Sequence, residues 1–165
     1  MSVAKIVILN WNGAEHLRRF LPSVVAAAPA GVEVVVADNG STDDSLRVLA
    51  TEFPSVGVLR LDANYGFAGG YNRALEQVRA DYYLLLNSDI ETPEGWLAPI
   101  LDVLEREPDV AVVSPKLISW TDRTKFEYAG ASGGFIDFLG YPFCRGRILK
   151  QVEACLLYTS DAADE

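Results

Sequence analysis

Two carboxylates sit where short apolar segments end. Asp38 closes Val34-Val35-Val36-Ala37, and Asp89 follows Leu84-Leu85-Leu86 after Asn87 and Ser88. A cation held by carboxylates can neutralise a diphosphate, so two such residues on one edge of a fold would suit a nucleotide-and-metal cleft. Two more polar segments could complete it: Asn10-Trp11-Asn12-Gly13, and the glycine-rich Asn64-Tyr65-Gly66-Phe67-Ala68-Gly69-Gly70-Tyr71-Asn72-Arg73, where main chain could approach a ligand closely. Each piece also has a plainer role. Asn12 is placed to cap a helix, Trp11 to pack, Asp38 and Asp89 to stabilise turns, and the glycines to relieve crowding at a strand-to-helix junction. Asn39-Gly40 would suit a hairpin turn, yet an amphipathic helix pattern comes after it rather than a second strand. Neither the G-x-G-x-x-G fingerprint of a dinucleotide fold nor a P-loop is present, which disfavours a Rossmann dehydrogenase.

The elements that must gather these residues alternate between strand length and helix length. Ile6-Val7-Ile8-Leu9, Val34 to Ala37, Val56 to Leu61, Tyr82 to Leu86 and Val110 to Val113 are apolar rather than alternating, the habit of strands covered on both faces of a parallel sheet. Between them, residues 13–27 place Leu17, Phe20, Leu21, Val24 and Val25 at helical spacing before Pro29 and Gly31. A second helix is predicted from Ser41 as cap, with Asp44 three residues on, through Leu46, Leu49 and Phe53 to Pro54. A third spans Ala68 to Arg79, and a fourth starts with Thr92 as cap and Pro93 at its first position. With right-handed crossovers, this order predicts an α/β fold: an open, Rossmann-like, mostly parallel sheet with helices on both faces. Ligands of such sheets bind at the carboxyl ends of the strands, where the four polar segments fall. Residues 115–149 lose the pattern and read as loops or short strands over the sheet.

At 165 residues and 50 % hydrophobic content the chain is the size of one domain with a real core. Its net charge of −9 argues against nucleic acid as a partner, and any bound phosphate would need help that a divalent cation could supply. The last fifteen residues hold four of the acidic side chains and no Lys or Arg, so residues 1–150 carry 14 basic against 19 acidic groups, a net −5. Cys144 and Cys155 show neither zinc-ligand nor disulfide-framework spacing and suit a reducing compartment. The N-terminus runs into a strand-like segment without signal-peptide features, and no apolar run approaches the roughly 18 to 20 residues of a membrane span. A soluble, cytoplasmic protein is expected, compatible with peripheral association at the inner face of the membrane.

Taken in order, the strand to Asn10-Trp11-Asn12, then Asp38-Asn39-Gly40-Ser41-Thr42-Asp43, then Asn64 to Asn72, then Asn87-Ser88-Asp89 resemble family 2 glycosyltransferases of the GT-A fold over residues 4–118. The resemblance implies that Asp38 contacts the nucleotide base and that Leu9 and Asn10 line the base pocket through their backbone. It implies further that Asn64, Gly66, Asn72 and Arg73 close over the nucleoside. The family's D-x-D metal motif stands here as Asn87-Ser88-Asp89, so Asp89 is expected to hold Mg²⁺ or Mn²⁺ with Asn87 near the ribose, a substitution similar to rhamnosyltransferase-like branches. Residues 128–147 resemble bacterial enzymes of surface polysaccharide synthesis, with no roles assigned and Arg145 and Arg147 equally suited to be surface cations.

The resemblance implies an inverting, metal-dependent transfer of a hexosyl or deoxyhexosyl group from a UDP- or dTDP-sugar to a glycan or lipid-linked acceptor. Metal and helix N-termini would stabilise the departing diphosphate. The family's general base belongs to a later acidic motif; Glu127 and Asp137 lie in the right region but in no matching motif. The segment from Cys155 to Glu165 looks like translated sequencing adapter, so residues 1–150 are expected to be an incomplete donor-binding domain, inactive alone, and 151–165 a non-native or disordered tail. The competing expectation is a non-catalytic nucleotide-sugar-binding module that acts through a partner.

Overall fold

The computed structural model describes residues 4–127, 134–136, 138–139, 142–144, 147–148 and 151–152. The chain divides into two compact units, residues 1–99 and 100–165. In the first, β1 (Ala4–Asn10), β2 (Glu33–Asn39), β3 (Gly57–Leu61) and β4 (Tyr82–Asn87) form one parallel sheet in the order β3-β2-β1-β4. Helices α1 (Ala14–Ala27), α2 (Ser45–Glu52) and α3 (Gly66–Gln77) connect them, and α4 (Leu97–Arg106) comes after β4.

The apolar runs of β1 and β2 form strands covered on both faces; β3 and β4, at the two ends of this sheet, leave Val58, Tyr83 and Leu85 exposed, so the expectation of two covered faces holds for the central pair alone. Val7 and Ala37 pack with Tyr71 and Ala74 of α3 and with Val78 just beyond its end, flanked by Leu9, Val35 and Leu59. The alternate set, Ile6, Ile8, Val34 and Val36, points the other way and is equally buried. Crossovers β1-α1-β2 and β2-α2-β3 run in one direction and β3-α3-β4 returns, so the right-handed rule puts α1 and α2 on the face opposite α3. The two helices pack on each other, burying Leu17, Leu21 and Val24 of α1 and Val48 and Leu49 of α2.

Helix α3 runs two residues earlier at both ends than the expected Ala68 to Arg79, and two helix starts and one strand differ further. Helix α2 begins at Ser45, not Ser41, because the Ser41 hydroxyl is bonded by the β1 loop and cannot serve its own helix. Helix α4 begins at Leu97, not after Thr92; the Thr92 N–H donates to Ser23 Oγ of α1 at 3.2 Å, which ties that segment down before the helix starts. Val110 to Val113 form no strand: Val112 is 82 % exposed, and an extended run stays irregular without a neighbouring ladder.

In the second unit, Ile118 and Phe126 form an isolated antiparallel bridge. Short antiparallel pairs come next, β5 (Gly134–Ile136) with β6 (Pro142–Cys144), and β7 (Arg147–Ile148) with β8 (Gln151–Val152), in keeping with the loops and short strands expected there. Arg145, Asp137 and residues 153–165, the bulk of the expected tail, lie outside the described residues. Among the described residues no helix is long and apolar enough to cross a membrane.

Candidate functional site

The strand order reverses between β1 and β4: the chain winds outward from β1 through β2 to β3, then returns to the far side of β1. Loops leaving two such neighbours diverge and open a crevice at the carboxyl edge, the usual ligand position in open α/β sheets. Asn10 to Gly13 leave on one side of this crevice and Ser88 and Asp89 on the other. Register sets the neighbours at its mouth, pairing Asn10 with Asp38 and Leu9 with Asn87.

On the β1–β2 side the polar side chains are bonded to one another or to neighbouring main chain, around a buried centre of Asn10, Asp38 and Asn39. Asn10 is fully buried and Asp38 is 2 % exposed. Asn10 Nδ2 donates to Asp38 Oδ2 at 3.1 Å and to Ser41 Oγ at 3.2 Å, and Asp38 Oδ1 accepts from the Ser41 N–H at 3.0 Å. Asp38 therefore stabilises its turn as well as standing at the sheet edge. Asn10 Oδ1 is buried without a partner. The carboxylate enforces this orientation, since reversing the amide would set two oxygens against each other.

The two loops also exchange caps. Asn12, in the left-handed region at φ 51°, does not cap its own helix; its Oδ1 accepts from the N–H groups of Thr42 at 2.7 Å and Asp43 at 3.3 Å. In return Asp43 Oδ2 accepts from Ala14 N at 3.0 Å, and its Oδ1 from Ser45 N at 3.0 Å. One carboxylate thus caps the N-termini of α1 and α2 and meets the positive end of both dipoles. Burial acts to raise the Asp43 carboxyl, but hydrogen bonds from Ser45 and Ala14 outweigh it and hold the group below its ordinary value.

A third connection runs through Asn39, buried at the end of β2. Its Nδ2 donates to Asn64 Oδ1 and to the Gly66 carbonyl, both at 3.0 Å, and its Oδ1 accepts from Tyr65 N at 3.0 Å. Asn64 Oδ1 also accepts from Gly66 N at 2.8 Å, so the segment entering α3 is held from both ends. The β2 turn and this segment touch directly at Gly40, whose φ of 73° and closeness to Ala63 main chain leave no room for a side chain.

The β4 side differs. Asn87 and Asp89 are exposed, and among the described residues neither makes a side-chain hydrogen bond. Among the described residues no group of three or more His, Cys, Asp or Glu surrounds a point; a divalent ion held by a single carboxylate would take phosphate and water as its other ligands. That is the habit of Mg²⁺, and an unbonded exposed carboxylate fits it.

Of the residues expected to bind donor, Leu9, Asn10, Asp38 and Asn87 come together through sheet register, and Asn64 and Gly66 through Asn39. Asn72 and Arg73 lie on the exposed side of α3, where the Arg73 guanidinium stacks 3.7 Å over the Tyr65 ring. Tyr65 in turn donates to Asp62 at 2.8 Å, and that bond, helped by the Arg73 charge, lowers the Asp62 carboxyl. Trp11, expected to pack, is 57 % exposed beside the crevice. Glu127 accepts from Trp120 N at 3.3 Å. Asn39, Asp43 and Tyr71 were not among the expected site residues. The signal available for Asn39 was its place as the polar residue after Asp38 at the end of β2; nothing in the sequence marks the reach of Asp43 to Ala14 across the loops, nor Tyr71, whose partners are main-chain atoms.

This arrangement is the GT-A variant of the α/β fold. Residues 1–349 of Staphylococcus aureus TarS in complex with UDP-GlcNAc superpose with a TM-score of 0.60 at 22 % identity, covering 79 % of this chain and 40 % of that one. The mannosyltransferase PcManGT from Pyrobaculum calidifontis, in complex with GDP-Man and Mn²⁺, gives 0.59 at 20 % identity, covering 70 % and 36 %. The chain belongs to glycosyl transferase family 2, whose model matches residues 5–156. The N-acetylglucosaminyl-diphospho-decaprenol L-rhamnosyltransferase of Mycobacterium tuberculosis is 29 % identical over 125 residues, 69 % of this chain and 41 % of that protein. The undecaprenyl-phosphate 4-deoxy-4-formamido-L-arabinose transferase of Sodalis glossinidius is 33 % identical over 113 residues, 64 % and 34 % respectively. This chain therefore spans well under half the length of these relatives.

Proposed function

We propose that this chain is the donor-binding half of an inverting glycosyltransferase and binds a nucleoside-diphosphate sugar in the crevice between β1 and β4. The observation that carries the reading is the pairing, at that crevice, of a buried and oriented carboxylate, Asp38, with an exposed and unbonded one, Asp89. The main chain at Leu9 and Asn10, the Asp38 carboxylate and the segment Asn64 to Gly66 hold the nucleoside. Trp11 offers an exposed ring face beside them, and Asn72 and Arg73 close over the nucleoside from α3. Asn87 lies nearest the ribose, and Asp89 holds Mg²⁺ or Mn²⁺. The cation supplies positive charge to the diphosphate as it leaves.

The caps on α1 and α2 add to the case for a cation. Both N-termini are turned onto Asp43, so neither can offer those donors to a phosphate, and the acidic chain must neutralise a diphosphate by other means. The acceptor is a glycan or a lipid-linked sugar, in keeping with relatives named for transfer onto diphospho-decaprenol and undecaprenyl-phosphate carriers. Such acceptors fit a role in bacterial envelope polysaccharide synthesis at the inner face of the membrane. UDP and dTDP are the favoured donor nucleotides.

Calorimetric titration with UDP, dTDP and GDP, each with Mn²⁺ and again with chelator, tests the reading in the wild type, Asp38→Ala and Asp89→Ala. Binding that needs Mn²⁺ and disappears in Asp89→Ala is the expected result. A folded chain that binds none of the three would sink it.

A further inference from the structure

The side chain that joins the two walls of the crevice belongs to neither. Tyr71 lies on α3, is 5 % exposed, and packs with Val7, Ala37, Ala74 and Val78. Its phenol oxygen reaches the sheet edge, where it accepts from the Leu9 N–H at 3.4 Å and donates to the Leu86 carbonyl at 3.0 Å. Ile8 pairs with Leu86 and Leu9 with Asn87, so the hydroxyl bridges the two main chains where their ladder ends. One residue further along, β1 reaches Asn10 and β4 opens into Ser88 and Asp89.

Helix α3 is held firmly at this point. A side chain at Gly70 would place its Cβ 2.8 Å from Leu9 Cδ1 and 2.9 Å from Asn39 Nδ2, so the helix main chain lies directly on the sheet edge. Phe67 stands edge-on to the Tyr71 ring at 5.1 Å between centroids. A purely apolar site would accept Phe at position 71, whereas a buried hydroxyl must find partners to offset its desolvation. Here both partners are main-chain groups of the strands that flank the crevice. Burial raises the phenol above its ordinary value, so it keeps its proton and its donor role near neutral pH.

Building on the nucleotide reading, we propose that the Tyr71 hydroxyl is a positioning group that sets the span between the nucleoside-holding end of β1 and the cation-holding end of β4. Such a group acts on ligands that touch both ends. A nucleoside diphosphate with its cation must reach from Asp38 to Asp89; a bare nucleoside meets only the β1–β2 side.

The test uses whichever of UDP, dTDP and GDP the wild-type chain binds most tightly with Mn²⁺, together with the matching nucleoside followed by NMR titration. All affinities are taken well below the melting temperature. Tyr71→Phe keeps the ring and removes the bridge, and should weaken the diphosphate–Mn²⁺ complex about tenfold, on the scale of one lost hydrogen bond, while nucleoside affinity stays within about twofold. Val78→Ala trims the same core cluster at the far end of α3; it should lower the melting temperature and change neither affinity. An unchanged diphosphate affinity in Tyr71→Phe, an equal loss for nucleoside and diphosphate, or a loss reproduced by Val78→Ala makes Tyr71 a packing residue and overturns the proposal. A folded wild-type chain that binds no diphosphate overturns the nucleotide reading itself, and this inference with it.

Discussion

The two walls of the crevice are built on opposite plans. On the β1–β2 side Asn10, Asp38, Asn39, Ser41, Asn12 and Asp43 bond to one another or to neighbouring main chain, and three of them are buried. On the β4 side Asn87 and Asp89 stand exposed, with no side-chain hydrogen bond to any described residue. A polar group that is bonded before its ligand arrives loses little freedom on binding, and its geometry is set by the fold. An unbonded carboxylate keeps its lone pairs for an ion that arrives with its own phosphates. The first wall is suited to reading a shape and the second to holding a charge. Substitutions on the first should therefore damage folding, and those on the second should spare it.

The largest loss is expected at Gly40. An alanine there would need a left-handed φ of 73° and would set its Cβ 2.7 Å from the Ala63 carbonyl carbon and 2.9 Å from Asn64 N, main-chain atoms that cannot move alone. Gly40→Ala should lower the unfolding free energy by about 3 kcal/mol or more in urea titrations. Asn39→Ala comes next. It leaves the Tyr65 N–H and the Asn64 amide without their buried partner, an expected loss of about 2–3 kcal/mol. If either variant unfolds at the wild-type midpoint, the first wall is not rigid in the way described.

How much of this wall could be read in the sequence depends on the kind of contact each residue makes. β1 and β2 were legible because burial on both faces leaves an uninterrupted apolar run, and α1 because Leu17, Phe20, Leu21 and Val24 repeat at helical spacing; β4 shows the same kind of run, Tyr82 to Leu86, although Tyr83 and Leu85 are exposed. The carboxylates at the strand ends were legible from the same runs, Asp38 as the first polar residue after one and Asp89 as the third after another. The cap exchange was not. Asn12, Ser41 and Asp43 each look like a cap for the next helix in the chain, and only the register of β1 against β2 brings the loops close enough to trade partners. Val110 to Val113 illustrate the converse, since an apolar run states a preference for strand without naming a neighbour to pair with.

Asp43 supplies a smaller effect with a pH signature. Its folded carboxyl lies below the ordinary value of 3.8, so its contribution is complete above that pH and is lost as pH falls through the folded value. Asp43→Asn keeps one acceptor oxygen and turns an NH₂ group toward either Ala14 N or Ser45 N. It should cost about 1 kcal/mol near neutral pH, the usual scale of a lost N-cap. The gap between wild type and variant should close below pH 3.8, and melting curves from pH 7 to pH 3 would show it. A gap that stays constant across that range would mean that the ionised carboxylate is not what the two helix ends recognise.

The smallest effect on folding belongs to Asp89, where the contrast between the walls is sharpest. With no side-chain partner among the described residues to lose, Asp89→Ala should change stability by less than about 0.5 kcal/mol. Ligand-linked stability should behave in the opposite way. A nucleoside diphosphate with Mn²⁺ at a hundred times its Kd stabilises a binding-competent chain by about 2.7 kcal/mol, and Asp89→Ala should lose nearly all of that increment. Thermal shifts with and without chelator separate the two quantities in one experiment. A destabilised but still ligand-responsive Asp89→Ala would place Asp89 with the bonded wall, and the cation would then need another holder.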